Sequence, residues 1–525
     1  MDEPWFDAPA PLLPEILALN GRWMGDKPAL VCDGETLGWR GFHRQLCQVA
    51  NGLRAAGVEP GDRVAVLMDN SPEMLVTLFG VIVAGGVTVP LNTLVADEGL
   101  GNMIRDAGAV AVFASGAHAA RLEAQREALG AVHTWVCTDG APGSRWADFT
   151  AWRSSQSDGD PAVPLRDGDE CNIIYSSGTT GLPKGIVHTH RRRLDWFYDL
   201  AIALRYDRAS VNLCSIGLFS NISWAGMGCT LLTGGTVVVM RAFDADAWLE
   251  TVDREGVTHS AMVPVQFQRI LDAEGFDGAD LSSIKSLMCC GSPLGVELKT
   301  RIMERLAPAL VELYGLTEGL ITTLDPEDAR ARPASVGKPL MGTDLKILDD
   351  NDAPCPPGVP GEIVGRGRIT MAGYHGRDDA SRAATWIDEA GRRWLRTGDI
   401  GRLDDAGFLY LVDRKKDMII SGGMNLYPAD IETKVLEHPA VTEAAVIAID
   451  SDRWGESPFA VLVGDSDADE VVAWANERVG KHQRLAGAVL VDALPRNPNG
   501  KVLKRELRDR YRHWLTEAVT RKETE

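Results

Sequence analysis

Short apolar runs and longer amphipathic stretches alternate along most of this chain. Arg63-Val64-Ala65-Val66-Leu67 is a continuous apolar run of strand length, and Pro72 to Ala84 is apolar over helix length. Gly86-Val87-Thr88-Val89-Pro90-Leu91 then predicts the next strand. The pattern returns as a strand from Thr236 to Met240 and a helix from Ala245 to Glu255, with Trp248, Leu249 and Val252 on one face. A strand from Thr258 to Val263 follows. Such alternation predicts an α/β fold with mainly parallel sheets flanked by helices.

The texture changes after about Gly391. Asp399 to Leu403, the turn Asp404-Asp405-Ala406-Gly407, and Phe408 to Val412 read as a hairpin in a β-barrel-like part. The charged break Asp413-Arg414-Lys415-Lys416-Asp417 then separates two apolar runs. It marks an expected boundary between a large N-terminal domain, 1–413, and a small α+β C-terminal domain, 414–525. The latter is predicted to hold helices over Pro428 to His438 and Asp467 to Val479, with a strand from Ala444 to Ile449 between them.

Length supports more than one domain, since 525 residues exceed what a single core fills. The hydrophobic fraction of 45% and charged fraction of 24% are those of a globular protein. A formal net charge of −20 speaks against a nucleic-acid-binding surface. The longest apolar stretch, Met74 to Leu91, is interrupted by Gly80, Gly85, Gly86 and Pro90, so it reads as a buried helix and strand, not a transmembrane segment. Nine scattered cysteines without C-x-x-C spacing, and an N-terminus without a basic leader, predict a reduced, soluble, cytoplasmic protein.

The strongest chemical signal is Tyr175-Ser176-Ser177-Gly178-Thr179-Thr180-Gly181-Leu182-Pro183-Lys184-Gly185. An apolar strand end runs into a loop dense in Ser, Thr and Gly. Glycines let backbone N–H groups turn toward phosphate oxygens, hydroxyls add donors, and Lys184 adds a mobile cation. Pro183 occupies the place where a Walker A loop requires glycine.

This string resembles the phosphate loop of the adenylate-forming superfamily, which includes acyl-CoA synthetases, peptide-synthetase adenylation domains and firefly-type luciferases. Other segments resemble that family's motifs in the same order. Gly291-Ser292-Pro293 is similar to the adenine-pocket loop. Tyr314-Gly315-Leu316-Thr317-Glu318 resembles the segment whose Thr and Glu meet phosphate and Mg²⁺, and Thr179 is implied as a second metal and catalytic group. Thr397-Gly398-Asp399 resembles the ribose segment. Asp413 to Lys416 resembles the hinge, with Arg414 near the ribose and Lys416 at the pivot. Ser421-Gly422-Gly423 resembles the border of the pantetheine tunnel of coenzyme A. Pro495 to Lys501 resembles the C-terminal motif whose lysine catalyses adenylation.

The resemblance implies nucleotide binding by Ser176, Ser177, Gly178, Thr180, Gly181, Lys184, Gly291, Ser292, Pro293, Tyr314, Gly315, Thr317, Asp399 and Arg414. It implies catalysis by Lys501, Glu318 and Thr179, with ATP, Mg²⁺ and coenzyme A as cofactors and co-substrates. It also implies a small domain that rotates between two half-reactions. Acyl-pocket positions are Phe219, Ser220, Trp224, Met262, Val263, Cys290 and Leu316, with Met227 and Phe267 beside them. These are mostly apolar, which favours an acid with an apolar body. Ser220 stands where many relatives carry histidine, and Trp224 reads equally as pocket wall or as core.

The activity implied is an ATP-dependent carboxylate–CoA ligase working through an acyl-AMP. A stand-alone adenylation enzyme loading a separate carrier protein, a luciferase-like oxygenase and a non-catalytic nucleotide-binding relative are the alternatives. Whether the chain forms a homodimer is left open.

Overall fold

The computed structural model describes residues 10–140, 143–176, 183–422, 424–451, 453–496 and 501–514, Ser176 by its backbone alone. The described chain forms two compact units. One comprises the described residues of Met1–Pro333, Pro339–Asp344 and Arg366–Thr385, the other those of Ala334–Lys338, Leu345–Gly365 and Trp386–Glu525.

The first unit is built on two sheets. In one, the strands Leu310–Gly315, Ser286–Cys289, His259–Met262, Val211–Cys214, Thr236–Val239 and Pro28–Cys32 lie side by side in that order, all parallel. Ile321–Leu324 continues the sheet antiparallel beyond Leu310–Gly315. The other sheet has eight strands, among them the parallel Arg63–Leu67 and Val87–Pro90. It ends in the antiparallel pair Glu170–Ser176 and Lys184–Thr189, with Gly373–Tyr374 added at the edge.

Local chemistry sets the helices between these strands. Ser71 caps Pro72–Val83 by accepting from the Met74 N–H at 3.1 Å, and the proline occupies the first turn, where an N–H is not needed. Asp244 caps Ala245–Glu255 in the same way, and that helix forms over the residues its periodicity predicts. From Met74 to Val83 every residue is buried, Thr77 and Gly80 included, as a helix apolar on nearly every side requires. Among the described residues no helix is long and apolar enough to cross a membrane.

A charge sits inside this unit. Arg193, on helix His190–Ala203, is fully buried between the rings of Trp196 and Trp224, 4.7 and 5.2 Å from their centroids. Its guanidinium donates to Asn172 Oδ1 and Asn221 Oδ1, both at 3.0 Å. A second buried pair joins Lys299 to Glu312.

In the second unit, Gly361–Gly367, Arg393–Leu403 and Leu409–Arg414 pair antiparallel. The last two form the hairpin the sequence predicts. A long antiparallel pair, Val441–Ser451 with Gly455–Gly464, then carries Gly487–Leu490 in parallel on its edge. Alternate residues of these strands face two separate clusters. Val446, Ala460 and Leu462 pack with Ile431, Val435 and Val471 of helices Pro428–Leu436 and Ala468–Asn476. Ala445, Ile447, Phe459 and Val461 pack with Leu494 and Leu507. Both faces are covered, so the strands read as unbroken apolar runs.

Candidate active site

Four neighbouring parallel strands deliver the central segments. Val211–Cys214 leads to Phe219 and Ser220, and His259–Met262 leads to Val263. Ser286–Cys289 leads to Cys290, Gly291, Ser292 and Pro293, and Leu310–Gly315 leads to Leu316, Thr317 and Glu318. Because these strands run the same way, all four segments emerge at one edge of the sheet. That carboxyl edge is where open α/β sheets place ligands. Gly291 has φ +92°, and a Cβ there would lie 2.9 Å from Ile222 Cδ1 and 3.2 Å from Val263 Cγ1. The third strand's loop therefore lies directly against the first two.

The apolar candidates divide by exposure. Trp224, Met227, Met262 and Phe267 are fully buried, and the Trp224 ring packs on Phe79 at 5.6 Å. Phe219 and Leu316 are partly exposed. Ser220 has a local task that its place in the motif did not announce. Its Oγ accepts from the Ile222 N–H at 3.3 Å and caps helix Asn221–Thr233. Cys289 and Cys290 are buried, and burial pushes the Cys290 thiol up to about 12. That is far from a reactive thiolate.

Glu318 sits in a tight turn, closed by Gly319 N–H to Leu316 O at 3.0 Å and Leu316 N–H to Leu320 O at 3.1 Å. The turn docks on residues 369–371, where the Met371 N–H donates to the Glu318 carbonyl at 2.7 Å. Tyr374 Oη donates to Glu318 Oε1 at 2.9 Å. Lys184 opens the strand Lys184–Thr189, and its Nζ lies 4.8 Å from the Tyr374 ring centroid. Lys184, Tyr374 and Glu318 thus form one connected group at the end of the Glu170–Ser176/Lys184–Thr189 pair. Ser177, Gly178, Thr179, Thr180 and Gly181 lie outside the described residues.

The second unit has its own polar cluster. Arg414 pairs with Asp399 at 2.8 Å across the Arg393–Leu403/Leu409–Arg414 ladder, and the Asp399 carboxylate is buried. Lys501 immediately precedes Val502, which forms an antiparallel bridge with Arg496. Burial pulls its ammonium down to about 8; neighbouring Arg414 and Lys416 push the same way, while Asp399 and Asp417 oppose. Lys416 is also lowered by burial. Arg508 holds the turn after Arg414 by donating to the Lys416 carbonyl and to Asp417, both at 2.7 Å. Asp399, Arg414, Lys416 and Lys501, distant in sequence, share one site.

Ser421 is buried at the end of strand Ile419–Ser421, and Gly422 follows with φ +57°. The Gly422 N–H donates to the Trp454 carbonyl at 2.8 Å, and a Cβ on Gly422 would come within 2.9 Å of the Trp454 ring. Gly423 lies outside the described residues.

A cation and a carboxylate joined through one tyrosine, in a unit that also carries apolar positions at the carboxyl edge of a sheet, are parts of an enzyme that handles a phosphorylated ligand together with an apolar one. Residues 19–375 match the family described as AMP-binding enzyme, and residues 430–501 match its C-terminal domain. The chain belongs to this family of adenylate-forming enzymes. It is 36% identical over 488 residues to a feruloyl-CoA synthase of Amycolatopsis sp, covering 91% of this chain and 94% of that protein. It is 33% identical to the long-chain-fatty-acid–CoA ligase FadD13 of Mycobacterium tuberculosis, over 88% of this chain and 90% of the relative. Among solved structures, an anthranilate CoA ligase in complex with anthranoyl-AMP superposes with a TM-score of 0.87 at 26% identity, covering 98% and 99% of the two chains.

The chemistry fits Mg²⁺ brought in with nucleotide. Among the described residues no group of three or more His, Cys, Asp or Glu could hold a metal alone. Mg²⁺ ordinarily takes one or two carboxylates and completes its shell with phosphates and water, a part Glu318 can fill.

Gly319 fixes this turn. It has φ +99°, and a Cβ there would fall 2.1 Å from the Ile369 carbonyl oxygen. Gly319→Ala should displace the turn from residues 369–371. We expect a melting temperature lower by about 1 °C per kcal/mol of strain, and a raised KM for Mg-ATP in a pyrophosphate-release assay.

Proposed function

We propose that this protein is an ATP-dependent carboxylate–CoA ligase. In the first step the carboxylate oxygen of an acid attacks the α-phosphorus of ATP, giving acyl-AMP and pyrophosphate. In the second the thiol of coenzyme A attacks the acyl carbonyl, forming the thioester and releasing AMP and the thiol proton. The observation that carries this reading is the convergence of four strand ends on one sheet edge, with Lys184 and Glu318 linked through Tyr374.

The residues answer a definite physical difficulty. Both reactants of the first step are anions, and two unit charges about 4 Å apart repel by about 1 kcal/mol in water and roughly 4 kcal/mol at an effective dielectric of about 20. Lys184 and Lys501 supply cations, and Glu318 would hold Mg²⁺, which would supply further positive charge at the phosphates. Asp399 and Arg414 serve the ribose, and Gly291, Ser292 and Pro293 the adenine. Thr179, in this reading, adds a ligand to the metal.

The acid has an apolar body, for which the relatives named for ferulate and fatty acids and the apolar candidate positions Phe219, Val263, Cys290 and Leu316 are the support. Nine free cysteines, eight of them buried, agree with a reducing cytoplasm.

The test is pyrophosphate release from Mg-ATP across a panel of carboxylic acids, with and without coenzyme A. Steady turnover only with coenzyme A, together with AMP and a thioester, is the expected result. One equivalent of pyrophosphate, indifferent to coenzyme A, would transfer the acyl group to a carrier protein instead. Absence of acid-dependent release across a broad panel would overturn the enzymatic reading. Gly423→Leu should leave acid-dependent pyrophosphate release within about twofold while cutting thioester yield at least about tenfold, because a side chain there narrows the way for pantetheine. Full thioester yield would remove Gly423 from the tunnel.

A further inference from the structure

The turn carrying Glu318 and the strand carrying Lys184 belong to different sheets, yet one short segment holds both. Gly373–Tyr374 pairs antiparallel with Lys184–Thr189, Tyr374 opposite Ile186. Lys184 is two residues from Ile186, so it is the diagonal neighbour of Tyr374 on the same face, within reach of a long side chain. The Lys184 ammonium accordingly lies over the Tyr374 ring, and the phenol oxygen reaches Glu318. Ser381 Oγ accepts from the Tyr374 N–H at 3.0 Å, and Arg192 donates to the Thr370 and Met371 carbonyls. Arg368 pairs with the buried carboxylate of Asp199. The segment is therefore fastened to helix His190–Ala203 on one side of Tyr374 and through Ser381 on the other.

We propose that Tyr374 is a positioning residue that keeps Lys184 and Glu318 apart and aims each at the nucleotide; this rests on the ligase reading above. A lysine and a glutamate that approach the same tyrosine attract each other. Paired directly, they would neutralise the charges that phosphate and metal need. The ring offers Lys184 a face instead of an acceptor oxygen, so the N–H groups of the ammonium stay available to phosphate. The phenol O–H occupies one carboxylate oxygen of Glu318 and orients the other.

Binding of ATP to the apo protein, with excess Mg²⁺ or with EDTA and without acid, separates this role from a structural one. Tyr374→Phe keeps the ring and removes the donor. We expect its Mg-ATP Kd to rise about tenfold, as for loss of a charge-assisted hydrogen bond, with metal-free ATP binding and melting temperature near wild type. That tenfold effect should vanish in a Glu318→Ala background, as coupling between the two groups requires. Tyr374→Leu should weaken metal-free ATP binding as well, because Lys184 loses its seat. A Tyr374→Phe effect equal with and without Mg²⁺, or undiminished beside Glu318→Ala, would overturn the proposal. So would no effect in an enzyme whose wild type releases pyrophosphate. Wild type that binds no ATP in either condition would instead sink the ligase reading.

Discussion

Lys501→Ala should abolish acid-dependent pyrophosphate release while sparing most thioester formation from a synthetic acyl-AMP. Removal of one preorganised charge aimed at a transition state costs about 100- to 1000-fold, and the first half-reaction is where negative charges are forced together. In the second, the nucleophile is a thiol and the phosphate is already esterified, so the lysine has no comparable task. Equal loss of both half-reactions would mean that Lys501 supports the fold or serves both steps. Its environment adds a pH signature. With the folded ammonium down at about 8, adenylation should fall as pH rises through that value. Stability should move the other way. The unfolded chain, with an ordinary lysine near 10.5, binds more protons in that window, so burial of Lys501 costs most below about 8 and the cost is relieved as pH rises toward 10.5. Opposite trends in activity and melting temperature over one pH range are measurable on one protein sample.

Glu318→Ala is the second large effect. We expect pyrophosphate release to fall at least about a hundredfold, the scale of a lost metal-stabilised charge. Raising Mg²⁺ into the tens of millimolar should recover part of the loss, because the metal is then recruited without its carboxylate. Conversion of supplied acyl-AMP should suffer less, since pyrophosphate and its metal have no part in that step. A deficit insensitive to Mg²⁺ would move Glu318 out of the metal site. The melting temperature is the control: Glu318 is partly exposed, so removing its side chain leaves no core cavity.

Much of the architecture can be read from spacing alone. Arg63–Leu67 and Pro72–Val83 follow from apolar runs of the right length, and Ala245–Glu255 from the helical spacing of Trp248, Leu249 and Val252 behind a capping Asp244. The Ser/Thr/Gly string with Lys184 announces phosphate because its chemistry is concentrated in eleven consecutive residues. Tyr374 offers no such signal. A Gly-Tyr pair has no periodicity, and its partner Glu318 lies 56 residues away, so only the sheet pairing brings them together. Ser220 can be seen to replace a usual histidine, but its cap to the Ile222 N–H depends on where the helix starts. In the run Arg191-Arg192-Arg193, nothing in the sequence sets the third apart as the one buried between two tryptophans. Long-range polar contacts of this kind are fixed by topology, and residue spacing does not encode them.

The late arrival of Gly373–Tyr374 has a consequence for synthesis. Val187 must wait for Gly373, its edge partner, which the ribosome adds nearly two hundred codons later. At about 5–20 residues per second that delay is roughly 10–40 s. Throughout it, the backbone of Lys184–Thr189 on that side is an open edge able to pair with any passing strand. A nascent chain halted after Pro333 but before Gly373 would carry most of the first unit with a sticky border. We expect such chains to be the ones chaperones retain, and a truncation after Pro333 to be insoluble for the same reason.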